Sequence, residues 1–563
     1  MDYQKVGISA LSTYVPPYRV DLEKWSDWTH QSWDKIKQVI GTGFRILGPN
    51  QTIYTMAANA VLDLILSNKI KPSEIGFLAL GTESSTDNSA GSIIIKGMID
   101  KELRNRSMQP ISKNCEVPEF KQACLSGIYA VKNAVLDLIL SNKVRPSEIG
   151  FLALGTESST DNSAGSIIIK GMIDKELKNR SMEPISKNCE VPEFKQACLS
   201  GIYAVKNAVR FIKTDAPSSK AIVVCSDIAL YQLGASGEPT QGAGAVAVLI
   251  ESNPKIAEVK TSESGSASDY RHLDFRKPIQ YRAKQANGHS DFDLDLPIFN
   301  GKYSSSCYID GTINALDDMA SKNSGHLSKH LRQVTAVFMH RPFHRMPLTA
   351  FSIAYLYALG KGDENDYKEL EEYANIADVS FDDILSELNN KPNVSDFPND
   401  DINRNAFPIA SKIAKALYND SSFQQKVLAK LDFGQDLTME MGNIYSGSVF
   451  GWLSAGLEEA SKKGLNWSNK EALIIGYGSG DAAEVIPIIF TEGWEKAVQI
   501  SPFSLAFKSY IDLSKEQYIK LRSEKTTNGI DYHLHDEFVV KKVGTEERDD
   551  FQDAGIEYYE YLN

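Results

Sequence analysis

Residues 190–230, EVPEFKQACLSGIYAVKNAVRFIKTDAPSSKAIVVCSDIAL, carry the reading of the fold. EVPEF suits a short strand, ACLSGIYAVKNAV a helix with small residues at its start, and AIVVCSDIAL a second strand. Upstream, EIGFLALGT is a brief apolar run bounded by turn residues, the mark of a buried strand. It is followed by a helical stretch around GSIIIKGMIDKEL and preceded by VLDLILSNK, the end of another helix. KVGISALSTYV near the start is a further strand. Strand, helix, strand, helix, strand in this order argues for an α/β layered fold.

Further out, ASGEPTQGAGAVAVLIES is a Gly-rich turn leading into a strand, and residues 262–305 are loop-rich. QVTAVFMH (333–340), EALIIGYGSG (471–480) and EVIPIIFTEG (484–493) read as later strands. Residues 360–435 are acidic and polar and read as a solvated helical insertion, and the tail FQDAGIEYYEYLN as a helix. No low-complexity linker divides the chain, so its halves are expected to pack as one body.

One feature interrupts this order. Asn59 to Val135 recurs as Asn133 to Val209 at a constant offset of 74 residues, with four differences: Ile70/Val144, Lys71/Arg145, Arg104/Lys178 and Gln109/Glu183. Solenoid repeats diverge more and need several copies to bury a shared core. Near-identity points instead to a recent tandem duplication or an error in gene assembly.

With 563 residues, 42% hydrophobic and 24% charged, the composition is that of a globular protein with a full core. The net charge of −13 disfavours a nucleic-acid partner. No apolar run is long enough for a membrane span, and the first residues do not read as a signal peptide, so a cytoplasmic location is expected. The six cysteines, at 115, 124, 189, 198, 225 and 307, suggest neither a disulfide scaffold nor a metal knuckle. Reduced thiols and no metal are expected.

Three residue types could do chemistry. Cys198, with its copy Cys124, stands at a helix N-terminus, where unpaired N–H groups and the helix dipole favour thiolate. Gly201, three residues on, lets another backbone approach. Glu157, with its copy Glu83, closes an apolar strand, where burial can equip a carboxyl for acid/base work. His340 ends the strand QVTAVFMH and could hydrogen-bond a thioester or ketone oxygen; His344 is its competitor. Each also has an ordinary reading: a buried helix cysteine, a helix-capping glutamate, a satisfied core histidine. His533 and His535 receive no role. GNIYSGS (442–448) and GYGSG (476–480) suit close backbone approach to a substrate, and neither is a nucleotide loop.

In order, QACLSGIYAV (196–205), SDIALYQLGASGEPTQGAGAVAVLIESNP (226–254), LPIFNGKYSSSCYI (296–309), MHRPFHRM (339–346), GNIYSGSVFGWL (442–453) and GYGSG resemble hydroxymethylglutaryl-CoA synthases, especially bacterial ones. The resemblance implies a thiolase-like fold of two pseudo-symmetric α/β halves, residues 1–255 and 256–563, in a layered arrangement. It implies a homodimer, no cofactor beyond the substrates acetyl-CoA and acetoacetyl-CoA, and a place in isoprenoid synthesis through mevalonate. Carried over by motif, Cys198 or Cys124 is the nucleophile, Glu157 or Glu83 the acid/base, and His340 the residue that positions acetoacetyl-CoA. Asn443, Tyr231, Asp227, Pro342, Arg345, Ser479 and Gly476 fall at the family's substrate-site positions.

The chain departs from that pattern at Gly476, where the family commonly has Ser, and at Arg345, where Lys is frequent. Leu125 and Ile128, with their copies Leu199 and Ile202, replace Tyr and Thr or Ala. The leading expectation pairs Cys198 with Glu157 and extrudes or swaps copy one; a mixed Glu83/Cys198 site is the rival. Two other functions stay open: a carrier-protein-dependent synthase of polyketide β-branching, and a non-catalytic acyl-CoA-binding or scaffold protein.

Overall fold

The computed structural model describes residues 5–70, 75–81, 119–122, 154–157, 173–177, 179–181, 193–194, 196–271, 273–275, 297–323, 325–535, 537–548, 550–554 and 557–562. For 76–81, 119–122 and 154–157 it describes the backbone alone.

A twelve-stranded mixed sheet organises these residues. Its strands are β1 (Val6–Tyr14), β2 (Ile75–Gly81), β3 (Glu119–Gln122), β4 (Leu154–Glu157), β5 (Glu193–Phe194), β6 (Lys220–Ala229), β7 (Gly242–Ser252), β8 (Ala257–Val259), β9 (Gly265–Ser268), β10 (Ala336–Met339), β11 (Glu471–Gly478) and β12 (Ala482–Phe490). The spatial order is β10-β11-β12-β8-β1-β7-β6-β2-β5-β3-β4, with β9 against β12. The sheet passes without a break from strands before residue 255 to strands after it, as expected of halves packed as one body.

The central strands are apolar throughout because both faces are covered. Along β6, Ala221, Val223 and Cys225 face one core with β1's Val6 and Ile8. Ile222 and Val224, in between, face a second core with Ala245 and Ala247. Helix α1 (Ile53–Ser67) covers that second face with Met56, Ala57, Ala60, Val61, Leu64 and Ile65. Helix α2 (Ser200–Thr214) covers the first with Ile202, Val205, Val209 and Ile212. Each of the valine, leucine, isoleucine and methionine side chains among them contributes about 1.5–3 kcal/mol of burial.

The duplicated region is built from both copies. β2 of copy one pairs in parallel with β6, Leu80 opposite Val224 and Gly81 opposite Cys225. The first turn of α1, Ile53 to Ala58, precedes the repeat and occurs once. Thr52 and Thr55 cap it reciprocally, and Ser226 Oγ donates to the Ile53 carbonyl at 2.5 Å. This anchor delivers copy one's strand to β6. The downstream end is anchored by copy two, whose α2 continues through Arg210–Thr214 into β6. Between them, Ile173 and Leu177 of copy two lie in the core beneath α1. Copy one is therefore not extruded as a unit.

Two sequence expectations are corrected here. The region 360–435 is not simply solvated. Its helices Glu364–Ile376, Phe381–Asn389 and Pro408–Leu417 turn Leu370, Ile384 and Ile413 into the main core, because apolar residues recur on one face of each amphipathic helix. The tail is not a helix: Glu557–Leu562 pairs antiparallel with Glu537–Val543. Its run of tyrosines suits a pleated surface better than a helix.

Candidate active site

Cys198 stands two residues before α2 and is 9% exposed. Ala197 before it has φ 46°, a left-handed conformation uncommon for alanine. Ser200 Oγ stabilises the turn, donating to the Ala197 carbonyl at 2.6 Å and accepting from Gln196 N–H at 2.8 Å. A Cβ on Gly201 would sit 2.5 Å from Cys225 Sγ and 2.7 Å from the Ser446 carbonyl. Glycine there lets the GNIYSGS turn reach the start of the helix, as the sequence suggested.

The thiol opens on a cavity of about 250 Å³ shared with Tyr231, His340, Pro342, Asn443 and Ser479. The sequence motifs supplied these residues from four separate segments. His340 follows β10, is 2% exposed, and is held by a hydrogen bond to the Tyr445 backbone. Burial lowers its pKa to about 3 against that bond, so the imidazole is neutral at ordinary pH. Its Nδ1 has no protein partner. His344, the competitor, lies outside the cavity, with Nδ1 2.8 Å from Arg341 Nη2. Asn443 Oδ1 accepts from Tyr445 N–H at 2.9 Å. Tyr231 is fixed through its backbone, N–H to Gln241 Oε1 at 3.1 Å and carbonyl from Arg522 at 2.7 Å.

Three expected substrate contacts do not line this cavity. Asp227 lies fully buried behind it and accepts from Ser446 N–H at 3.0 Å and from the Ser446 hydroxyl, so it positions the turn. Arg345 stacks 3.7 Å above the Tyr418 ring. Gly476 faces α2, where a Cβ would overlap Ile202 Cδ1 and come within 2.6 Å of Leu199 Cδ1. Its departure from the family is thus matched by Ile202 and Leu199, whose methyl groups fill the space a serine side chain needs.

The sequence reading missed the aromatic wall: Phe275, Phe299, Tyr308, Tyr445 and Tyr477. Tyr308 OH donates to the His340 carbonyl at 2.6 Å, and Tyr477 OH donates to Asp274 at 2.7 Å. Phe299 and Tyr308 fall within LPIFNGKYSSSCYI, so that block held the signal. Asp274, Cys307 and Asp481 bring metal-type ligand atoms within 4.8 Å of one another. Arg271 already donates to Asp481 at 3.0 Å, and burial with Asp274 alongside pushes the Asp481 carboxyl up.

Glu83 and Cys124 lie outside the described residues, and only the backbone of Glu157 is described. The backbone bears on which glutamate lies near Cys198. β2 and β5 run parallel, so their C-terminal ends, leading to Glu83 and Cys198, emerge at the same end of the sheet. β3 is antiparallel to β5, and β4 is parallel to β3. Glu157, at the C-terminal end of β4, therefore lies at the sheet's far edge on a strand that runs the other way.

Residues 125–255 match the profile "Hydroxymethylglutaryl-coenzyme A synthase N terminal" and residues 288–526 the corresponding C-terminal profile, together well over half the chain. The second match runs through the helical region that the sequence suggested was an insertion. The first runs along copy two, because a linear match must stay in order with Cys198 and the strand AIVVCSDIAL downstream of it, whereas the folded sheet takes its strand from copy one. The chain is 26% identical to a hydroxymethylglutaryl-CoA synthase of Haloferax volcanii over 69% of its own length and 78% of that protein's. It is 30% identical to hydroxymethylglutaryl-CoA synthase A of Dictyostelium discoideum over 63% and 64%. Among solved structures, MvaS in complex with 3-hydroxy-3-methylglutaryl coenzyme A superposes with a TM-score of 0.65 at 19% identity, covering 100% of both chains. The HMG synthase of the curacin pathway superposes with a TM-score of 0.59 at 17% identity, covering 99% of this chain and 100% of that one. The fold is thiolase-like, and the chain belongs to the hydroxymethylglutaryl-CoA synthase family.

Proposed function

We propose that the cavity condenses acetyl-CoA with acetoacetyl-CoA through acetyl-Cys198, with Glu83 as the base and His340 as the partner of the second substrate. The observation that carries this reading is the meeting of Cys198, His340 and Asn443 on one cavity; the strand that leads to Glu83 pairs with β6 and β5. The Cys198 thiolate attacks the acetyl thioester and free CoA leaves. Glu83 takes a methyl proton, and the resulting carbanion attacks the ketone carbon of acetoacetyl-CoA. The new alkoxide takes that proton back from Glu83, and water cleaves the enzyme thioester, releasing 3-hydroxy-3-methylglutaryl-CoA and restoring the thiol.

The division of labour proposed here puts the thiol and base in residues 1–255 and the imidazole in 256–563. Acyl-CoA substrates are the partners. No described helix is long and apolar enough to cross a membrane, and a cytoplasmic site of action is part of the proposal. A homodimer is likewise part of the proposal.

The test is incubation with radiolabelled acetyl-CoA, then peptide mapping. Label on the Cys198 peptide, lost in Cys198→Ser, is the expected result. Full labelling and turnover in Cys198→Ser would overturn the assignment, and failure of the wild-type chain to label would favour the non-catalytic reading. Turnover of free acetoacetyl-CoA separates this function from a carrier-protein-dependent one.

A further inference from the structure

A second cavity, of about 330 Å³, lies between the end of β1, one face of α1 and the segments 501–509 and 532–537, and shares no lining residue with the catalytic one. That volume falls in the range of small-molecule sites. Glu537 is part of its wall and is only 6% exposed. Its Oε2 accepts from the Tyr14 hydroxyl and from Gln51 Nε2, the latter at 3.1 Å. Its Oε1 makes no hydrogen bond with any described residue. Among the described residues no lysine or arginine lines the cavity, and Asp63 brings a second carboxylate, to which Ser12 Oγ donates at 2.6 Å. Thr13 Oγ1, in the same wall, is buried without a partner. A buried carboxylate with an oxygen left open costs free energy until a donor reaches it. Burial accordingly pushes the Glu537 carboxyl up, against the bonds from Tyr14 and Gln51.

We propose that this cavity is a second ligand site, which binds a small primary amine with an apolar body through the Glu537 carboxylate. An ammonium has three N–H donors and no acceptor, so it can serve Oε1 and a hydroxyl of the wall together. Hydrogen bonds between two ionised groups are shorter and stronger than neutral ones. Val15, Leu62, Leu66 and Leu505 give the lining an apolar part that suits a short hydrocarbon or aromatic body. Two carboxylates, with the exposed imidazole of His535 as the lone basic group among the described lining residues, turn anions away. A phosphate-bearing CoA thioester is therefore not the occupant. Tyr532, His535 and Glu537 belong to the segment after residue 526, where the match to the family's C-terminal profile ends, so the condensation chemistry does not account for them.

The experiment is isothermal titration calorimetry of the full chain with phenethylamine and, separately, with phenylacetate, a carboxylate of similar size. Saturable binding of the amine and none of the carboxylate is expected. Glu537→Gln keeps the shape of the side chain and removes its charge, and is expected to weaken amine binding by about tenfold to a hundredfold. Leu505 lines the cavity and is 45% exposed, so Leu505→Lys sets a competing ammonium in the lining without disturbing the core, and is expected to weaken the amine likewise. No saturable heat with phenethylamine up to about ten millimolar, equal affinity for the two probes, or unchanged amine affinity in Glu537→Gln each overturns the proposal. If Glu537→Gln does not fold, unchanged affinity in Leu505→Lys overturns it. The inference stands apart from the catalytic reading, since the readout is binding at a separate cavity and not turnover.

Discussion

Replacing Glu83 and Glu157 separately by Gln tests the assignment of the base, since the two lie in identical sequence and differ only in where the fold puts them. Three inter-strand steps separate β2 from β4, about 14 Å at the usual strand spacing, and the two strands run in opposite directions. A general base must come within about 3 Å of the proton it removes, directly or through one water, and such a group supplies about 10²–10⁴ in rate. Glu83→Gln is therefore expected to lower kcat by that factor, equivalent to about 3–5 kcal/mol of transition-state stabilisation, while Cys198 still takes up acetyl. Glu157→Gln is expected to keep wild-type turnover. The assays are CoA release from the two substrates and label retained on the Cys198 peptide. Loss of condensation in Glu157→Gln with turnover intact in Glu83→Gln would refute the reasoning.

Gly476→Ser is expected to destabilise by about 1–3 kcal/mol through overpacking against Ile202 and Leu199, and Ile202→Ala in the same chain to recover part of it; thermal melts compare the three proteins, and an undisturbed Tm in Gly476→Ser contradicts the packing argument. Lys206 and Glu484 form a fully buried ion pair at 2.8 Å. Lys206→Met alone is expected to cost about 3–5 kcal/mol, and Lys206→Met with Glu484→Leu much less, because the first strands a buried charge and the second removes both; chemical denaturation measures both, and equal losses argue against it. His340 and His344 are each held near pKa 3 by burial, His344 also by Arg341 and Arg345. The unfolded chain takes up these protons below about pH 6.5 and the native state does not, so stability falls as pH drops from 6.5 towards 3, by about 1.4 kcal/mol per unit for each ring. Urea unfolding at pH 7 and pH 5 reads this, and His340→Gln is expected to flatten the slope.

By itself the sequence determined the elements whose signal is local. Residues 221–230 and 471–478 are apolar at nearly every position, and such runs find burial on both faces only inside a covered sheet. Cys198 before α2 and His340 after β10 were legible for the same reason, as each stands where a patterned segment ends. The helical region 360–435 and the tyrosine-rich tail were misread because an acidic surface hides a one-sided apolar face and because EYYEYL does not declare its period. Only the tertiary structure placed the strands of the two copies, with β2 of copy one beside β6 and β4, which ends in Glu157, at the far edge of the sheet. Two copies with the same residues have the same local propensities, so nothing within the repeat can choose between Glu83 and Glu157. The choice is made by the unrepeated flanks: Ile53 to Ala58 bury copy one's helix beneath the sheet, and Arg210 to Ala229 carry copy two's helix into β6. A strand's place in a sheet depends on long-range pairing and on the anchors at its two ends, and those contacts exist only once the chain has folded.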